Sequence, residues 1–107
     1  MLLIIDIGNS LVKYHFNRQT FFEIDDLASA ISASLHQYSG SIGIDTFRVF
    51  IVSTRKSLNA IEKDKTKVLL QNLQKQHALW FPIEFNEELL EQKKLLKDSF
   101  LDGISLR

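Results

Sequence analysis

The sequence predicts an α/β protein whose mixed sheet opens with an antiparallel β-meander and continues with alternating helices and strands. Three observations carry this. The chain begins with a short aliphatic run, Leu2–Ile7, interrupted only by Asp6. An alternating stretch and then a third short strand follow it at turn-length separations. Beyond them the apolar period lengthens to about four residues and then reverts, as it does when helices and strands take turns along a chain.

The opening run reads as a strand buried on both faces. Gly8, Asn9 and Ser10 are turn formers. Over residues 11–16, Val12, Tyr14 and Phe16 fall on one side and Lys13 and His15 on the other, which makes the two strands a hairpin. Asn17-Arg18 is a second reversal, and residues 20–24 form a third strand. Asp25 or Asp26 is placed to cap a helix whose stripe is Leu27, Ile31 and Leu35. After a loop near Tyr38, residues 47–52 form a second buried strand ended by Ser53 and Thr54. A helix over residues 58–76 would pack through Val68, Leu69, Leu70 and Leu73, with Lys63, Lys65 and Lys67 solvated beside Glu62 and Asp64. Pro82 breaks an extended segment over residues 80–85 and suits a sheet edge or strand end. Trp80, Phe81 and Phe85 read as core or as an interface. From about Glu87 a helical pattern returns with Leu89, Leu90, Leu95 and Leu96.

Composition narrows the function. A length of 107 residues suits one domain, 1–107, and 45% apolar with 24% charged residues is a globular mixture. Thirteen basic residues balance thirteen acidic ones, leaving no electrostatic footprint for nucleic acid. The absence of cysteine excludes disulfides, thiolate metal sites and thiol catalysis. No stretch approaches the roughly 20 apolar residues of a membrane span, and the opening run lacks the basic flank and cleavage pattern of a signal peptide, so a soluble, cytoplasmic chain is expected. His15, His36 and His77 show no paired spacing and read as surface or packing residues.

The informative segment is Asp6-Ile7-Gly8-Asn9-Ser10, set between two strands. A carboxylate at a buried strand end can hold magnesium, directly or through water. Gly8 lets phosphate oxygens approach the turn, and its amides, Asn9 and the Ser10 hydroxyl can donate to them. Lys13, within the next strand, adds positive charge. Any hairpin turn prefers these residue types too. That plainer reading leaves Asp6 unexplained, because a carboxylate buried without a partner is costly.

The opening MLLIIDIGNSLVKYHF resembles that of type III pantothenate kinases, which carry an Asp-x-Gly-Asn-Thr/Ser phosphate loop. Arg48-Val49-Phe50-Ile51-Val52-Ser53-Thr54 stands where that family has an aliphatic strand ending in serines, and Pro82-Ile83-Glu84 resembles a Pro-Ile-Glu stretch of some members. The resemblance implies the N-terminal lobe of a ribonuclease H-like, actin-like ATPase fold. It implies ATP and Mg2+ at Asp6, Gly8, Asn9, Ser10 and Lys13, with pantothenate as acceptor in coenzyme A biosynthesis and a homodimer as the assembly. The run Leu95-Leu96-Lys97-Asp98-Ser99 aligns with the family's Leu-Gly-x-Asp-Arg loop. Asp98 would then be the general base that takes the proton from the attacking hydroxyl. It is equally well placed as a helix cap.

Departures accompany the matches. Leu96 replaces the loop glycine, Ser99 replaces the arginine, and no tyrosine stands near Leu89 or Leu90. The family's second lobe, with its adenine contacts and monovalent-cation site, has no counterpart in these residues, so the chain alone would be a poor kinase. A non-catalytic half-domain and one subunit of a two-chain kinase are the alternative expectations.

Overall fold

A computed structural model describes residues 1–37 and 46–87. Its strands are β1 (Leu2–Ile7), β2 (Val12–Phe16), β3 (Gln19–Phe21), β4 (Phe47–Ser53) and β5 (Ile83–Glu87). The helices are α1 (Ile24–His36), between β3 and β4, and α2 (Asn59–His77), between β4 and β5, the latter preceded by a 3-10 turn over Lys56–Leu58. The described residues form one mixed sheet in the order β3-β2-β1-β4-β5. Strands β1 to β3 pair antiparallel, whereas β4 lies parallel to β1 and β5 parallel to β4. The expected meander followed by alternating elements is therefore present. No helix among the described residues is long and apolar enough to cross a membrane.

The meander follows from its turns. Asn17 and Arg18 both take positive φ, 52° and 63°, the geometry that matches a two-residue turn to strand twist. This tight turn starts the third strand at Gln19, and it ends by Phe21 rather than reaching residue 24. Helix α1 thus begins at Ile24 with Glu23 in the capping position, and Asp25 and Asp26 lie inside the first turn instead of capping it. There their charge still favours the positive end of the helix dipole.

Side-chain alternation sends Leu3, Ile5, Ile7, Tyr14, Phe16, Phe47, Val49 and Ile51 to the face covered by the helices. Leu27, Ile31 and Leu35 of α1, and Leu70 and Leu73 of α2, complete that core with Phe81. Phe47 stacks between Phe16 and Phe81, with ring centroids 6.1 and 5.7 Å away. On the opposite face Ile4, Asp6, His15 and Val52 are also buried, so the central strand β1 is largely covered on both sides, whereas Arg48 of β4 is exposed there.

Helix α2 corrects the expected packing. Its buried stripe is Asn59, Glu62, Thr66, Leu70 and Leu73, at spacings of three and four residues, whereas Val68 is 56% exposed. Glu62 belongs to the interior rather than to a solvated face. The helix ends on Ala78, whose φ of 52° is left-handed. Leu79 N–H donates to the Gln74 carbonyl at 3.0 Å and Ala78 N–H to that of Lys75 at 3.3 Å, the paired bonds that close a helix end. Trp80 stands out from the core, 77% exposed, while Phe81 beside it is buried. Glu87 closes β5, and the helix expected after it, with Leu89, Leu90, Leu95 and Leu96, lies outside the described residues.

Candidate functional site

Strands β1 and β4 run parallel and end side by side, Ile7 opposite Ser53. Beyond β1 the chain turns back into β2; beyond β4 it departs through α2 to β5 on the other side. In open α/β sheets a crevice for ligands arises where neighbouring parallel strands send their connections in opposite directions. Two loops meet here, the turn over residues 8–11 and the segment Ser53-Thr54-Arg55.

The turn is narrow but open. Gly8 N–H donates to the Leu11 carbonyl at 2.9 Å, so that amide is spent inside the hairpin and is not among the donors it was expected to offer. Asn9 and Ser10 are exposed, and their N–H groups have no acceptor among the described residues. A Cβ on Gly8 would come within 3.3 Å of the Leu11 carbonyl oxygen, so a larger residue there would push the two sides of the turn slightly apart.

The β4 end holds this turn in place. Thr54 N–H donates to the Ile7 carbonyl at 3.1 Å, continuing the parallel ladder by one residue. The Thr54 hydroxyl is shared between Asn9 Oδ1 at 3.2 Å and the Ile7 carbonyl at 3.3 Å. Arg55 donates from its guanidinium to the Asn9 carbonyl at 3.2 Å, and its own N–H is taken by Ser53 Oγ at 2.8 Å.

Asp6 lies on the sheet face away from the helices, 9% exposed. Lys13 stands across from it on β2 and Val52 on β4. His15, one step diagonal, is 1% exposed with Nε2 3.8 Å from Asp6 Oδ2, too long for a hydrogen bond. Its Nδ1 shares a bond of 3.0 Å with Thr20 Oγ1, and its buried Nε2 has no hydrogen-bond partner among the described residues. The fold thus gathers Asp6, Gly8, Asn9, Ser10 and Lys13 at one end of β1 and β2. Asp98, with Leu96 and Ser99, lies outside the described residues.

Two participants, Arg55 and His15, carry no site signal in the sequence; the nearness of His15 to Asp6 is a diagonal of the hairpin register. Thr54 was legible as a polar strand end. On the helix-covered face Tyr14 donates to buried Glu62 at 2.7 Å. Burial, and then this bond to Glu62, push the Tyr14 hydroxyl well above the ordinary tyrosine range. His36 and His77, scattered in sequence, meet across α1 and α2 with ring centroids 6.5 Å apart, and His77 Nε2 lies 2.8 Å from Ser32 Oγ. They line a groove of about 590 Å³ that includes none of the predicted site residues.

Magnesium fits this donor set in one way. Among the described residues no three His, Cys, Asp or Glu side chains cluster as a metal site. A single carboxylate such as Asp6 suits Mg2+ only when phosphate oxygens and water complete its shell. The arrangement therefore offers a carboxylate, unclaimed backbone donors, an amide and a hydroxyl, with a lysine and an arginine alongside. The chain is an α/β protein with these two polar loops side by side at the carboxyl ends of its parallel strands β1 and β4. Comparison with protein-family models, curated proteins and solved structures gives no match.

Proposed function

We propose that the chain is the phosphate-binding lobe of an ATP-dependent kinase of the type III pantothenate kinase kind, built on half of a ribonuclease H-like, actin-like ATPase fold. The single observation that carries this reading is the open turn over residues 8–11, flanked by Asp6 and Thr54 at a topological switch point. An antiparallel meander leading into parallel strands is the half-fold the resemblance implies. In this reading the N–H groups of Asn9 and Ser10, the Asn9 amide and the Ser10 hydroxyl orient the phosphates of ATP. Asp6 would hold Mg2+, which when bound neutralises charge on the phosphates. Lys13, across the ladder from Asp6, adds a positive charge. Asp98 would take the proton of the pantothenate hydroxyl.

Titration calorimetry with ATP and Mg2+ tests the proposal. Binding is expected, and removing the exposed hydroxyl in Ser10→Ala should weaken it while the protein still melts cooperatively. A chain that gives no heat with ATP and Mg2+ would end this reading. Binding without pantothenate-dependent ATP consumption would identify the lobe as non-catalytic on its own, the reading that Leu96 and Ser99 favour.

A further inference from the structure

We infer that the segment after β4 is a second phosphate-gripping loop and that Arg55 is its central cation; this rests on the nucleotide reading of the turn. The sequence motif lies wholly in the first hairpin, and Arg55 is 46 residues from the Asn9 carbonyl it touches. Three donors bind the two loops together: Thr54 N–H to Ile7, the Thr54 hydroxyl shared between Ile7 and Asn9, and the Arg55 guanidinium to Asn9. The Ser53 hydroxyl fixes the Arg55 backbone at 2.8 Å. Arg55 is therefore positioned from both ends, by its main chain and by its side-chain tip.

Its charge is unspent. A guanidinium carries five N–H donors in a planar fork, and the bond to Asn9 uses one. Arg55 is exposed and makes no ion pair among the described residues. The surrounding run Ser53-Thr54-Arg55-Lys56-Ser57 contains hydroxyls and cations but no acid. The nearest following acid, Glu62, is buried and committed to Tyr14. Lys13, the cation found in the sequence motif, instead stands directly across the ladder from the Asp6 carboxylate. A free fork beside unclaimed backbone donors suits the bidentate geometry of phosphate oxygens. The ligand class is a polyphosphate, with the fork on oxygens that the hairpin amides leave open.

The test is calorimetry with ATP and Mg2+, and separately with inorganic pyrophosphate, on the wild-type chain, Arg55→Lys and Arg55→Ala. Losing a charge-assisted bidentate contact should weaken both ligands by about 10- to 100-fold in Arg55→Ala. Arg55→Lys should recover part of the loss, and added guanidinium ion should restore binding to Arg55→Ala. The salt dependence of binding should be shallower in Arg55→Ala, which a purely structural tie between loops would not produce. Wild-type affinity in Arg55→Ala would overturn the inference and leave the hairpin reading standing. Weakening with unchanged salt dependence, no guanidinium rescue and a lowered melting temperature would assign Arg55 to loop packing and also overturn it. A wild-type chain that binds neither ligand would overturn both.

Discussion

Tyr14→Phe should destabilise the protein by an amount set by one buried contact. The Tyr14 ring is 4% exposed and Glu62 3%, and the hydroxyl reaches both carboxylate oxygens, at 2.7 and 3.2 Å. The cation nearest Glu62 is Lys65, 3.9 Å away with its side chain 57% exposed, a pair largely screened by water. A hydrogen bond to a charged group contributes about 1.5–3 kcal/mol, and its loss leaves the carboxylate buried with weaker compensation, so about 2 kcal/mol is expected. In a domain of this size that lowers the melting temperature by about 8–16 °C. Urea unfolding with an unchanged slope measures it directly. Replacing both partners, Tyr14→Phe with Glu62→Leu, should recover stability relative to Tyr14→Phe alone, because no buried charge is then stranded. The pH dependence has a definite sign. Burial and Glu62 raise the Tyr14 ionisation above its ordinary value of 10.0, so the folded state holds that proton more tightly. The contribution is complete below pH 10 and is lost as pH rises beyond it, so the gap between wild type and Tyr14→Phe should narrow in that window. A Tyr14→Phe protein within 0.5 kcal/mol of wild type at neutral pH, by the scale of ordinary surface substitutions, would refute the reasoning.

Two further outcomes check the helix that carries Glu62. Ala78→Gly should stabilise the protein by roughly 1 kcal/mol, since φ of 52° costs alanine what it does not cost glycine; an unchanged or lower denaturation midpoint would contradict the assigned helix end. Leu70→Ala should cost about 2–5 kcal/mol while Val68→Ala stays within about 0.5 kcal/mol, and a reversed order in urea melts would mean that the buried face of α2 is the other one.

Residues that alternate or recur at a helical period made much of the fold readable. In the hairpin the alternation of Val12, Tyr14 and Phe16 against Lys13 and His15 is the division between the two sheet faces. Leu27, Ile31 and Leu35 are all fully buried, as a four-residue period requires. Helix α2 failed for a physical reason. Its inward stripe begins with Asn59, Glu62 and Thr66, so hydrophobicity pointed to Val68 on the wrong side. A buried glutamate is invisible until a donor such as Tyr14 is placed opposite it, and that pairing spans 48 residues. The hairpin half of the candidate site was legible because its residues are consecutive. Its β4 half was not, since only the parallel register of β1 and β4 brings Arg55 to Asn9.

That register also accounts for the charge at the crevice. Strand β1 turns back into its antiparallel neighbour β2, while the chain beyond β4 leaves toward β5 on the other side, so the two loops diverge from adjacent strand ends. Backbone N–H groups there cannot all be satisfied by a ladder, because the ladder ends at Thr54. Of the side chains at this margin, Thr54 and Arg55 donate to Asn9 and Ser10 is exposed, while Glu62 is buried against Tyr14. The parallel register of β1 and β4 thus fixes both where the ladder ends and which residues tie the two loops together.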